Sequence, residues 1–218
     1  RSMCMSCNKQ LQWFENIPLL SFIIQRGKCS KCGAAIGARY FLIELITSAL
    51  FYAVYSHFGF TFNSLFYCAF VASLMAVTFI DIDFRIIPDE ISIWGTVLAL
   101  AASHWVEGLG LTAALIGAAS ASFLFWLMGF VYEKITGREG LGFGDVKLLA
   151  FIGASLGAKG AFGTVIVSSF VGSVFGIILM ISQKKNLKMA VPYGPFLAIG
   201  ALLFLFWGDS ILLSVYSF

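Results

Sequence analysis

From residue 40 to residue 217 the chain is a succession of apolar runs broken by Gly, Pro and clustered charge, and this rhythm constrains the fold more than any other feature. The runs cover 40–60, 62–80, 91–106, 110–132, 146–158, 160–182 and 193–217. A helix needs roughly 20 mostly apolar residues to cross a bilayer core of about 30 Å. It also satisfies every backbone N–H and C=O group internally, which lipid requires. The expected fold is therefore all-α, a polytopic transmembrane helix bundle with seven spans in this chain. The run 146–158 fits least well, because at 1.5 Å per residue it reaches only about 20 Å. Composition excludes the soluble alternative: 60% of residues are hydrophobic and 11% charged, against about 25% charged in a soluble domain. The net charge of +3 is too small to argue for nucleic acid as a partner.

Loop charge sets the orientation, since cytoplasmic loops collect Lys and Arg. With the N-terminus inside, all of the 14 Lys+Arg residues except Lys159 fall in cytoplasmic segments. Arg85, Lys134, Arg138, Lys147, Lys184, Lys185 and Lys188 all obey the rule, and Phe218 then lies outside. Residues 1–39 break the apolar pattern, carrying four of the five cysteines and Arg1, Lys9, Arg26, Lys28, Lys31 and Arg39. Two domains are expected: a cytoplasmic four-cysteine module over 1–39 and a transmembrane bundle over 40–218. No basic segment leads straight into an apolar one at the start, so no cleavable signal peptide is read there. The chain begins with Arg rather than Met, and further residues upstream are expected.

Cys4-Met-Ser-Cys7 and Cys29-Ser-Lys-Cys32 are two C-x2-C knuckles separated by 21 residues. Such a pair can deliver four thiolates to one tetrahedral Zn²⁺. With all four positions filled by Cys and none open to water, the metal would be structural. Two disulfides, redox chemistry or an iron site are the alternatives, and a reducing compartment disfavours the disulfides. Cys68, inside an apolar run, reads as a small core residue.

Acidic side chains at the rim of a membrane are costly and tend to be functional. Asp81, Asp83, Asp89 and Glu90 cluster at the cytoplasmic end of the second run, and Asp145 stands at the cytoplasmic start of the fifth, after Gly140-Leu-Gly142-Phe-Gly144. Glu44, Glu133 and Asp209 lie near span ends, where snorkelling or interhelical hydrogen bonds suffice. Asp81 and Asp145 can meet if their helices pack together. Two carboxylates sharing a proton can activate water and protonate a leaving amine. A solvated acidic cluster is the bland alternative.

Ile80-Asp81-Ile-Asp83 with Pro88-Asp89, Gly142-Phe-Gly144-Asp145, the two knuckles, Glu15-Asn16-Ile17-Pro18 between them, and Pro192-Tyr-Gly194-Pro195-Phe before the last run agree in order and spacing. Together they resemble bacterial type IV prepilin peptidase, a family of GxGD membrane aspartic peptidases, over nearly the whole chain. The resemblance implies that Asp81 and Asp145 are the catalytic pair facing the cytoplasm. It also implies residence in the bacterial inner membrane, prepilins or pseudopilins as substrates with a short basic leader to be removed, and membrane lipid as surroundings. Family members commonly methylate the new N-terminus with S-adenosylmethionine, an activity associated with the cysteine loop. The sequence names no residues that bind this donor. Members usually carry one more helix before the cysteine module, which implies eight spans in the full protein. Two other classes remain open on residues alone: an ion- or proton-coupled transporter, whose acids should lie near the midplane, and a non-enzymatic zinc-bearing assembly protein, which needs no acid pair.

Overall fold

The computed structural model describes the backbone of residues 2–137, 142–183 and 192–216, with side chains to Ser182 and over 192–208 in the later segments. Arg1, Arg138, Gly140, Lys184, Lys185, Lys188, Phe218 and the side chain of Asp209 lie outside the described residues. The chain divides into two compact units, Arg1–Ser56 and His57–Phe218.

In the first unit the two knuckles are built alike. The N–H of Cys4 donates to the Lys9 carbonyl at 2.9 Å and that of Asn8 to Cys4 at 2.9 Å; Cys29 donates to Ala34 at 2.8 Å and Gly33 to Cys29 at 2.9 Å. Antiparallel bridges, Met3 with Gln10 and Lys28 with Ala35, close both loops. The residue after the second cysteine of each pair is left-handed, Asn8 at φ 53° and Gly33 at φ 69°, and Asn and Gly are the residues that tolerate this conformation best. Between the knuckles run a 3-10 turn, Trp13–Asn16, and a short helix α1, Leu20–Ile24; α2 is Ala38–Phe58. The N–H of Leu19 donates to Glu44 Oε2 on α2 at 2.8 Å. That is the hydrogen-bonding role expected of an acid near a span end.

The second unit holds α3 (Phe62–Phe84), α4 (Asp89–Ala102), α5 (Leu111–Thr136), α6 (Phe143–Gln183) and α7 (Gly194–Tyr216). Local chemistry sets the boundaries. Thr61 caps α3 by accepting the Ser64 N–H. Arg85 ends it in the left-handed conformation, returning its N–H to the Asp81 carbonyl at 2.9 Å. Pro88 precedes α4, whose first turn carries Asp89 and Glu90, favourable at a helix N-terminus. Gly137, also left-handed, closes α5.

The first part of α6 is the axis of this unit: Leu148, Leu149, Phe151, Ile152, Ala154 and Ser155 are all buried. Phe70 of α3 meets Phe151 edge-on at 5.2 Å. Where α5 crosses α6, a Cβ on Gly117 would strike the Gly153 carbonyl oxygen, and one on Gly153 would strike that of Gly117. The backbones touch there, the close approach that small residues permit between membrane helices. By contrast Trp94, Ile166 and Phe170 are at least 63% exposed. Apolar side chains in such number on the outer faces of long helices fit a lipid surrounding. The protein is an integral membrane protein.

The all-helical class agrees with the sequence, and the span count is corrected. Among the described residues four helices are long and apolar enough to cross a membrane: Ala38–Phe58, Phe62–Phe84, Leu111–Thr136 and Phe143–Ser182. The expected division between 146–158 and 160–182 is present at Gly157, whose φ 71° and ψ 179° kink α6 into two helical segments. A single residue makes this break, because glycine can enter that region without steric cost. α4, with 14 residues, spans about 21 Å. The described apolar part of α7, Gly194–Gly208, is likewise shorter than a span.

Candidate active site and candidate metal centre

Asp81 occupies the last turn of α3, and Asp145 the first turn of α6. Helix packing brings their carboxylates within electrostatic reach of one another, the convergence expected from the sequence. Asp81 is buried at 5% exposure, whereas Asp83, two residues on, is exposed. A third terminus completes the site: the N–H of Gly194, at the start of α7, donates to Asp81 Oδ2 at 3.0 Å. Glycine lines both carboxylates. A Cβ at 194 would lie 2.7 Å from Asp81 Oδ2, and one at 142 would lie 3.1 Å from Asp145 Oδ2. Asp145 takes its place through the Asp145 N–H, which donates to the Gly142 carbonyl at 3.1 Å.

The surroundings hold this corner together. Lys147, one turn along α6, pairs with Asp89 at 2.6 Å and lies 5.0 Å above the Phe143 ring. Asp89 and Lys147 thereby join the starts of α4 and α6. Tyr193 OH is 2.9 Å from Ser168 Oγ and 3.2 Å from Ser169 Oγ, and its ring stacks on Phe125 at 5.9 Å. Two carboxylates within electrostatic reach of one another next to helix N-termini, bordered by chain without Cβ atoms, can hold a water and an extended backbone together.

The four cysteines of the first unit also converge, and all are free thiols. Cys4 and Cys32 sulfurs are 3.9 Å apart and those of Cys7 and Cys29 4.0 Å apart, with every pair within 4.8 Å. Four sulfurs each about 2.3 Å from a central zinc lie about 3.8 Å from one another, so the cluster fits a tetrahedral metal closely and could bind one. The N–H groups of Cys32 and Lys31 pull the Cys29 thiol down to about 6. The Cys32 thiol, although the Ala34 N–H favours its thiolate, is pushed up to about 11 by desolvation within the cluster and by the neighbouring cysteines. Sulfurs this close lose protons in steps that belong to the group rather than to any one residue.

Behind the cluster sits a buried carboxylate that the sequence signalled only as part of Glu15-Asn16-Ile17-Pro18. Glu15 accepts the Gln12 N–H at 2.8 Å, the Lys9 ammonium at 2.8 Å and the Ser30 hydroxyl. Lys9 follows one knuckle and Ser30 lies within the other, so Glu15 joins them. The Gln12 N–H, then Lys9 and Ser30, hold its carboxyl at about 2, far below the usual value.

A helical membrane protein with two aspartates within electrostatic reach of one another and a four-thiol cluster has the side chains that a two-aspartate membrane peptidase needs. Comparison with known proteins carries this further. The family model "Type IV leader peptidase family" matches residues 68–177, and "Bacterial Peptidase A24 N-terminal domain" matches residues 1–58. The chain is 38% identical over 210 residues to a prepilin leader peptidase/N-methyltransferase of Pseudomonas aeruginosa, covering 96% of this chain and 72% of the relative. It is 38% identical over 214 residues to that of Aeromonas hydrophila, with 97% and 73% covered. The counterpart from Legionella pneumophila is 34% identical over 212 residues, with 97% and 74% covered. No solved structure matches. The chain belongs to the type IV leader peptidase family.

Proposed function

We propose that the protein removes the leader peptide of prepilins or pseudopilins at the cytoplasmic face of the bacterial inner membrane, with Asp81 and Asp145 as the catalytic pair, and N-methylates the new N-terminus. The observation that carries this reading is that the two carboxylates, from the end of α3 and the start of α6, lie within electrostatic reach of one another. One carboxylate takes a proton from water as its oxygen adds to the scissile carbonyl. The other donates a proton to the amide nitrogen as the C–N bond breaks, and the two share the remaining proton between turnovers. The relatives' names support both reactions.

The four cysteines are proposed to hold one structural Zn²⁺, which would fix the two knuckles relative to each other. The module 1–39 and the bundle 40–218 are the corresponding domains, and the charge of the loops supports a cytoplasmic module. S-adenosylmethionine is the proposed methyl donor. Both aspartates lie at helix ends, so the scissile bond is expected at the membrane interface, just before the substrate's apolar helix. A bond buried in helix would have to unwind in lipid at several kcal/mol per exposed polar group.

The test is incubation of the purified protein with a membrane-embedded prepilin, with and without S-adenosylmethionine, and mass measurement of the product. Cleavage without the donor and a further gain of one methyl group with it are expected. An uncut substrate would sink the reading.

A further inference from the structure

We infer that Gly194 is a positioning residue for the aspartate pair: its backbone N–H holds Oδ2 of Asp81 and leaves Oδ1 for the water or the substrate. This rests on the two-aspartate reading above and adds a part that the reading does not contain. The N–H groups in the first turn of a helix have no intrahelical partner, and the start of α7 disposes of them in a particular way. Pro195 has none to give. Those of Phe196 and Leu197 both donate to the Tyr193 carbonyl, at 3.0 and 3.1 Å. Gly194 is left with the one donor aimed outward, and it meets the carboxylate at 3.0 Å. Among the described residues no hydrogen bond engages Asp81 Oδ1.

The fit depends on the missing side chain, since a Cβ at 194 would stand 2.7 Å from Oδ2 and 3.2 Å from Cγ of Asp81. Asp81 is itself buried and its backbone carbonyl is tied to the Arg85 N–H, so the carboxylate has to rotate away rather than the helix retreat. The donor is equally fixed. Tyr193, next to it, is held by Ser168 and Ser169 of α6 and stacked on Phe125 of α5. The Tyr-Gly-Pro sequence thus supplies an anchor, a donor without a side chain, and a neighbour that does not compete.

Two measurements test the inference. Gly194→Ala, compared with Gly176→Ala, where a Cβ meets nothing within 4 Å, should lower kcat for prepilin cleavage about 100-fold. A displacement of about 1 Å in a catalytic group costs that much. KM should stay within about twofold and the melting temperature close to the parent's. Independently of whether that variant folds, amide hydrogen exchange at Gly194 should speed up in Asp81→Ala while exchange at Phe196 and Leu197 stays unchanged. A kcat within a few-fold of the parent's, a loss confined to KM, or Gly194 exchange indifferent to Asp81→Ala would overturn the inference. The two ideas fail separately. If Asp81→Ala still cleaves, the two-aspartate reading falls and this one with it. If Asp81→Ala is dead and Gly194→Ala is normal, only Gly194's role is lost.

Discussion

Asp81 and Asp83 carry the same carboxylate two positions apart, about 200° around a helix, and their surroundings differ accordingly. Asp81 is buried against Gly194, whereas Asp83 is exposed. Asp81→Asn and Asp145→Asn should each lower cleavage at least about 100-fold, the scale of general acid–base catalysis. Asp83→Asn should leave it near normal, and a peptidase assay on the three purified variants checks the ranking. Glu15 gives a second residue-level expectation, in pH. Its folded value of about 2 lies below the usual 4.5, so its contribution stabilises the cysteine module fully above about pH 4.5 and is lost as pH falls toward 2. The difference in thiol accessibility on heating between parent and Glu15→Gln should therefore be largest near neutrality and close as pH drops through that window. The candidate acids were legible in sequence because charge at a membrane rim stands out and the glycines before Asp145 mark it. The Gly194 donor was not: a backbone N–H has no residue type of its own. Nor could spacing show that Glu15 reaches a lysine and a serine on different knuckles.

At the scale of elements, the α5–α6 crossing is where helix packing leaves least room. Gly117→Leu should force the two backbones apart and cost about 1–3 kcal/mol or more by overpacking. Gly176→Leu, in open space, should be tolerated. Melting temperatures of the detergent-solubilised variants distinguish them. Periodic apolar runs gave the existence of every long helix in the second unit. Their spacing also marked the break in α6, although Gly157, Lys159 and Gly160 look the same in sequence whether they form a loop or a single interruption. The difference lies in one pair of backbone angles. The knuckles were more legible than any helix boundary, since two cysteines three residues apart followed by Asn8 or Gly33 specify both the ligand set and the left-handed turn that presents it.

Across the whole molecule, each unit should survive injury to the other, because membrane helices satisfy their own backbones while the knuckles are held by their own backbone bridges and by Glu15. If the cluster holds zinc as proposed, Cys32→Ser should abolish zinc binding, read by metal analysis of parent and variant, and expose residues 2–37 to limited proteolysis. The helices after His57 should still resist alkaline extraction from membranes. Moving the prepilin cleavage site about 5 Å, one helical turn, deeper into the substrate's apolar segment should suppress cutting, and undiminished cutting would show that the site reaches into the bilayer. The bond from Gly194 to Asp81 joins residues 113 apart. At about 5–20 residues per second of synthesis, the donor leaves the ribosome roughly 6–23 s after the acid it contacts. A nascent chain, or one cut short before α7, carries both aspartates and yet an unfinished protease. On the Gly194 reading, the order of translation leaves the aspartate pair incomplete until α7 is in place.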